Sequence, residues 1–185
     1  MRKTAILLSL AICVLASQCR AGNLANINLP DTMQAGATTL TLNGMGLRTK
    51  YAFKVYVAGL YLPQKSTDPA AILQPDVPKR IVMHFVRNVS KSQLTDGFSE
   101  SFQNNTPEAA KTLKPDIDRL FSALDSVKDG EELVFTYIPG TGTSLAIAGK
   151  EMLTIAGPNF AKMLFSVWLG PKPPNAALKK GILGQ

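Results

Sequence analysis

One ten-residue run, Phe53–Leu62, constrains the fold of this chain more than any other stretch. Phe53, Val55, Val57 and Tyr61 fall on one parity and Tyr56, Ala58, Leu60 and Leu62 on the other, until Pro63 ends the run. A strand that is apolar on both parities needs cover on both faces. Arg80–Val86 repeats the pattern and reads as a further strand, and Thr38–Leu42 alternates polar and apolar residues as a strand does. Between them, Asn43-Gly44-Met45-Gly46 reads as punctuation, a bulge or bend where glycine relieves the backbone.

Helical periodicity follows. Ser90-Lys91-Ser92-Gln93 has the spacing of a capping box, in which the serine hydroxyl and glutamine amide satisfy orphan backbone groups. Leu94, Phe98 and Phe102 then recur every fourth residue as an apolar stripe. A second helical region lies between Pro107 and Leu124, with Leu113, Ile117, Leu120, Phe121 and Leu124 inward and Pro115 dividing it. Leu133–Ile138 and Ser144–Ala148 flank Pro139-Gly140-Thr141-Gly142 as a hairpin. Asn159–Leu169 and Pro174–Leu183 are the last helices. This order predicts an α+β fold, an antiparallel sheet with helices segregated on one face.

The first 21 residues read as a signal peptide rather than part of that fold. Arg2 and Lys3 precede an uncharged apolar run from Ala5 to Ala16, too short to span a bilayer about 30 Å thick. Cleavage after Ala21 leaves one domain, 22–185, exported to the periplasm or secreted. Both cysteines, Cys13 and Cys19, leave with the leader, so the mature chain carries no thiol. Losing Arg2, Lys3 and Arg20 takes the 20 basic residues to 17 against 13 acidic ones, a net charge near +4. The remaining cations are scattered, with no run longer than two, which argues against a nucleic-acid partner. Pro158, Gly157 and Lys162 break the apolar stretch Met152–Pro171, so no transmembrane segment is expected in the mature chain.

One histidine and two cysteines cannot form a zinc site of four cysteines, of paired cysteines and histidines, or of three histidines. No metal or cofactor is expected. His84 has no Gly-x-Ser-x-Gly elbow to serve and reads as a hydrogen-bonded sheet residue. Gly140-Thr141-Gly142-Thr143 lacks the lysine ending of a phosphate loop and reads as a turn. Glu131-Glu132 and Asp116/Asp118 read as solvated surface.

Gly44–Leu62 carries more. Arg48, Lys50 and Lys54 stand among apolar residues, with Tyr51, Tyr56 and Tyr61 nearby. An arginine at the rim of an apolar cavity suits a carboxylate or enolate oxygen, and a tyrosine hydroxyl adds a second donor. The alternative is an Arg48 that caps a sheet edge and a Tyr56 that packs in the core.

Gly44-Met45-Gly46-Leu47-Arg48 followed by Lys54-Val55-Tyr56-Val57-Ala58-Gly59-Leu60-Tyr61-Leu62 resembles the chalcone isomerase-like superfamily. Phe165-Ser166-Val167-Trp168-Leu169-Gly170, Pro173-Pro174 and Leu178-Lys179-Lys180-Gly181-Ile182-Leu183-Gly184 extend the resemblance, in order, over nearly the whole mature chain, in the manner of a secreted bacterial branch. The resemblance implies an open-faced β-sandwich, a large antiparallel sheet covered by helices. It implies one of two activities. Plant enzymes of the superfamily are isomerases (intramolecular lyases) that close a chalcone-like α,β-unsaturated ketone, and other members bind fatty acids between sheet and helices. Both use an arginine matching Arg48. Where the enzymes have a catalytic threonine this chain has Tyr56, as in the lipid-binding members; their helix tyrosine aligns with Leu94 and their asparagine near Ser101. The threonine or serine on their late helix has no counterpart around Asn159.

The expected ligand is therefore a fatty acid or similar small amphipathic carboxylate held by Arg48 and Tyr56, with Arg48 also the one residue carried over if the chain is an isomerase. Phe53, Val55, Val57, Phe98, Phe102, Phe165 and Trp168 are candidates for the apolar walls. In a straight strand Arg48 and Tyr56 would stand about 26 Å apart. They converge only if the chain folds back near Lys50-Tyr51, setting Arg48 opposite Phe53 or Lys54 and Tyr56 at the near diagonal.

Overall fold

The computed structural model describes residues 22–185, so the leader predicted over 1–21 lies outside it. The chain runs β1 (Gly22–Leu24), β2 (Ile27–Leu29), β3 (Thr32–Ala35), β4 (Thr38–Lys50), β5 (Phe53–Leu62), α1 (Pro69–Leu73) and β6 (Lys79–Phe85). It continues through α2 (Lys91–Asn105), α3 (Pro107–Thr112), α4 (Lys114–Ala123), β7 (Glu132–Ile138), β8 (Gly142–Ile147), β9 (Lys150–Ile155), α5 (Pro158–Leu169) and α6 (Ala176–Ile182). Strands β3 to β9 form one antiparallel sheet in sequence order, and β1 and β2 form a separate hairpin.

The two parities of β5 explain the layers. Tyr56, Ala58, Leu60 and Leu62 join a core that contains every buried apolar residue of the helices, while Tyr61 faces a smaller cluster with Leu29, Leu40, Leu42 and Val82. The helices thus gather on one face and the N-terminal hairpin closes part of the other. Helix α5 is the innermost: Phe160, Met163, Leu164, Phe165, Val167 and Trp168 are all buried, as an almost uninterrupted apolar sequence requires. The Ser90–Gln93 capping box forms as expected, and Leu94, Phe98 and Phe102 are buried.

Three features add to these readings. The strand expected over Thr38–Leu42 runs on to Lys50 through Asn43–Gly46, and a register shift between Leu42 and Gly44 makes the bulge expected of that segment. Its glycines let helix α6 lie on the strand, because a Cβ on Gly44 would collide with the Gly181 carbonyl and one on Gly46 with the Leu178 carbonyl. Asn43, buried, ties the two together by donating to the carbonyls of Ile182 (2.8 Å) and Ser66 (3.0 Å). Pro115 marks the division of the helical region as expected: the break falls at Leu113, and Pro115 occupies the first turn of α4, where a missing N–H costs nothing. Finally, Lys150–Glu151, together with the first residues of the apolar stretch Met152–Pro171, form the edge strand β9, whose partial exposure hides its periodicity.

Candidate functional site

A cleft of about 440 Å3 opens between the turn end of β4 and β5, the end of β6, and helices α2 and α5. Arg48, Val55 and Tyr56 line it from the hairpin, Phe85 from β6, Leu94 and Phe98 from α2, and Trp168 from α5.

The hairpin expected near Lys50-Tyr51 is present: Lys50 pairs with Phe53 and Thr49 with Lys54. The register then shifts, so Arg48 faces Tyr56 directly rather than Phe53 or Lys54. Val55 is the extra residue of a bulge, which the sequence analysis did not foresee. Directly opposed residues project on the same face of a sheet, here the helix side.

Arg48 is half-buried. Its Nη1 donates to the carbonyls of Thr49 (2.6 Å) and Pro174 (2.7 Å). Its remaining N–H groups have no acceptor, and no carboxylate pairs with it, among the described residues. The Tyr56 hydroxyl accepts a hydrogen bond from Trp168 Nε1 at 3.1 Å, and its own proton has no acceptor among the described residues. Burial pushes the phenol up to about 12, against the opposing effects of the Trp168 hydrogen bond and the Arg48 charge, so Tyr56 stays a donor at neutral pH. Two unsatisfied donors, one cationic and one neutral, thus line the cleft side by side. Lys50, Arg87 and Lys172 also line it, against one carboxylate, Glu100.

Of the residues expected to form apolar walls, Phe53, Val55, Phe98 and Trp168 line the cleft. Val57, Phe102 and Phe165 do not. Val57 lies on the other parity of β5 opposite His84, while Phe102 stacks on Phe98 and Phe165 meets Trp168 edge-on. His84 pairs with Glu132 across β6 and β7, 3.2 Å apart, away from the cleft, in the role its sequence setting suggested. Among the described residues no cluster of three metal-ligating side chains occurs.

Two contributors escaped sequence reasoning. Gly97 lines the cleft from inside α2, and a Cβ there would meet nothing within 4 Å. A glycine interrupting a helical stripe was the available signal. Lys172, Pro173 and Pro174 form a strap over the cleft, held by Asn105, whose amide donates to the Lys172 carbonyl (2.9 Å) and accepts from its N–H (2.8 Å). Only the tertiary structure brings that loop to Arg48.

A family model described as chalcone isomerase-like matches residues 21–184. The chain belongs to the chalcone isomerase-like family. No curated protein matches the sequence. Among solved structures, the crystal structure of a fatty-acid binding protein of Arabidopsis thaliana is similar with a TM-score of 0.64, covering 85% of this chain and 92% of that one at 15% identity. That likeness establishes the shared chalcone isomerase-like fold. Leu94 is buried in the cleft wall with no hydroxyl to offer. Ser101 also lines the cleft.

Proposed function

We propose that this protein binds a fatty acid or related amphipathic carboxylate in the cleft between sheet and helices. The carrying observation is the pairing of Arg48, without a carboxylate partner among the described residues, and Tyr56, whose hydroxyl proton has no acceptor among them, in the lining of one cleft. The head group meets the guanidinium through charge-assisted hydrogen bonds and the phenol through one more, while Phe85, Leu94 and Phe98 receive the chain. A volume of about 440 Å3 lies in the range of small-molecule sites, and a lining that mixes apolar side chains with cations suits an amphipathic anion.

Protein purified from cells should carry an acyl ligand in native mass spectrometry. Arg48→Ala should lose it, with affinity for added fatty acid reduced about ten- to a hundredfold, the worth of a charge-assisted hydrogen bond. A ligand-free protein that also ignores added fatty acids overturns the reading.

A chalcone-type isomerase has less support. Arg48 and Tyr56 together suit a developing oxyanion, but Leu94 supplies no acid–base group. Racemic flavanone formed from naringenin chalcone at the buffer rate rejects it for that substrate.

We also infer export, and with it membership of a secreted bacterial branch, from the basic start and apolar run before Gly22. The mature protein should then begin at Gly22 by N-terminal sequencing; an intact Met1 in cytosolic protein overturns this.

A further inference from the structure

Tyr51 and Phe53 are 86% and 61% exposed, the two most exposed large apolar side chains among the described residues. Both stand at the tip of the β4–β5 hairpin. The turn residues Tyr51 and Ala52 have φ of 51° and 67°, a left-handed pair that Asn-Gly would adopt without strain. Backbone preference therefore does not account for a tyrosine there. Lys50 Nζ lies 5.9 Å from the Tyr51 ring centre and the Arg87 guanidinium 4.9 Å from that of Phe53. Lys54 is exposed beside them, and no acidic residue occurs between Arg48 and Val55.

We propose that this hairpin tip docks on an anionic lipid bilayer. Aromatic rings that carry an amphipathic or apolar body, flanked by Lys50, Lys54 and Arg87 and with Glu100 the one carboxylate lining the adjoining cleft, match the boundary between anionic head groups and acyl chains. Lys50, Tyr51, Phe53 and Arg87 also line the mouth of the cleft, so docking sets that mouth against the membrane. The transfer of an acyl ligand between bilayer and cleft rests on the function proposed above; the docking itself does not.

The test is co-sedimentation of the purified protein with vesicles of phosphatidylcholine alone or mixed with phosphatidylglycerol. Binding should require phosphatidylglycerol and weaken with salt. It should fall at least about tenfold in Tyr51→Asn/Phe53→Ser, and likewise in Lys50→Glu/Arg87→Glu. Asparagine tolerates the left-handed turn, so the first variant keeps the hairpin. Equal partitioning of wild type and tip variant, or binding indifferent to lipid charge, overturns the proposal. So does a dimer in solution that the tip variant dissolves, which assigns the tip to a second copy. Arg48→Ala should keep vesicle binding while losing fatty acid. Wild-type protein that binds these vesicles but no fatty acid counts against the cleft reading only, and wild-type protein that binds fatty acid but no vesicles counts against docking only.

Discussion

Arg48 and Tyr56 face each other across the β4–β5 ladder, and they do so because one extra residue, Val55, sits in β5. An unbulged hairpin from the Lys50–Phe53 pair would have set Val55 opposite Arg48 and turned Tyr56 away. A single inserted residue flips the facing of everything beyond it, and here it brings a cation and a phenol to one cleft.

Tyr56→Phe separates two roles of one oxygen. It removes a donor from the proposed ligand and an acceptor from the buried Trp168 indole. Ligand affinity should drop about five- to tenfold, and the unpaired N–H should lower stability by about 1–3 kcal/mol. Isothermal titration and urea unfolding measure the two, and unchanged values in both would remove Tyr56 from the site.

Gly97 should behave oppositely for stability and ligand entry. Alanine fits the open space at its Cβ and improves helix propensity by roughly 0.5–1 kcal/mol, raising the melting temperature. Leucine should keep the fold but obstruct the cleft, weakening fatty-acid binding well beyond the alanine variant. Equal binding by the leucine variant means that the ligand does not pass α2.

Gly46→Ala should be severely destabilising, by roughly 3 kcal/mol or more, because its Cβ meets the Leu178 backbone of α6 rather than a movable side chain. Gly130→Ala puts its methyl in open space, although at a φ of 83°, and serves as the control for backbone strain alone. Denaturant midpoints rank the two; a Gly46→Ala cost no larger than the control's would mean that α6 shifts freely.

Stability should decline at high pH. Burial raises Tyr56 to about 12 from 10.0, and Tyr137, raised chiefly by burial with Asp76 adding to it, also reaches about 12. The unfolded chain therefore releases these protons first, and stability present below pH about 10 is lost as pH rises toward about 12. For the buried Tyr56 the full effect is on the order of 2–3 kcal/mol. Lys79, lowered by burial, works in the contrary direction as it approaches its ordinary range, moderating the slope. Tyr56→Phe should flatten the pH dependence of unfolding; an unaltered slope would show that its hydroxyl titrates freely.

The sequence by itself determined the layers. Apolar residues on both parities of Phe53–Leu62 required two covered faces, the Ser90–Gln93 spacing set the start of α2, and the stripe Leu94, Phe98, Phe102 set its inward side. These are local regularities, fixed by backbone period and by caps within one turn. It also singled out Arg48 and Tyr56 and the fold-back they need. What the tertiary structure decided was contact between distant segments: the bulge at Val55, the approach of α6 to Gly44 and Gly46, and the strap whose Pro174 carbonyl holds Arg48. Register and close approach depend on how a whole sheet and its helices fill space together, and no stretch of a few residues encodes that.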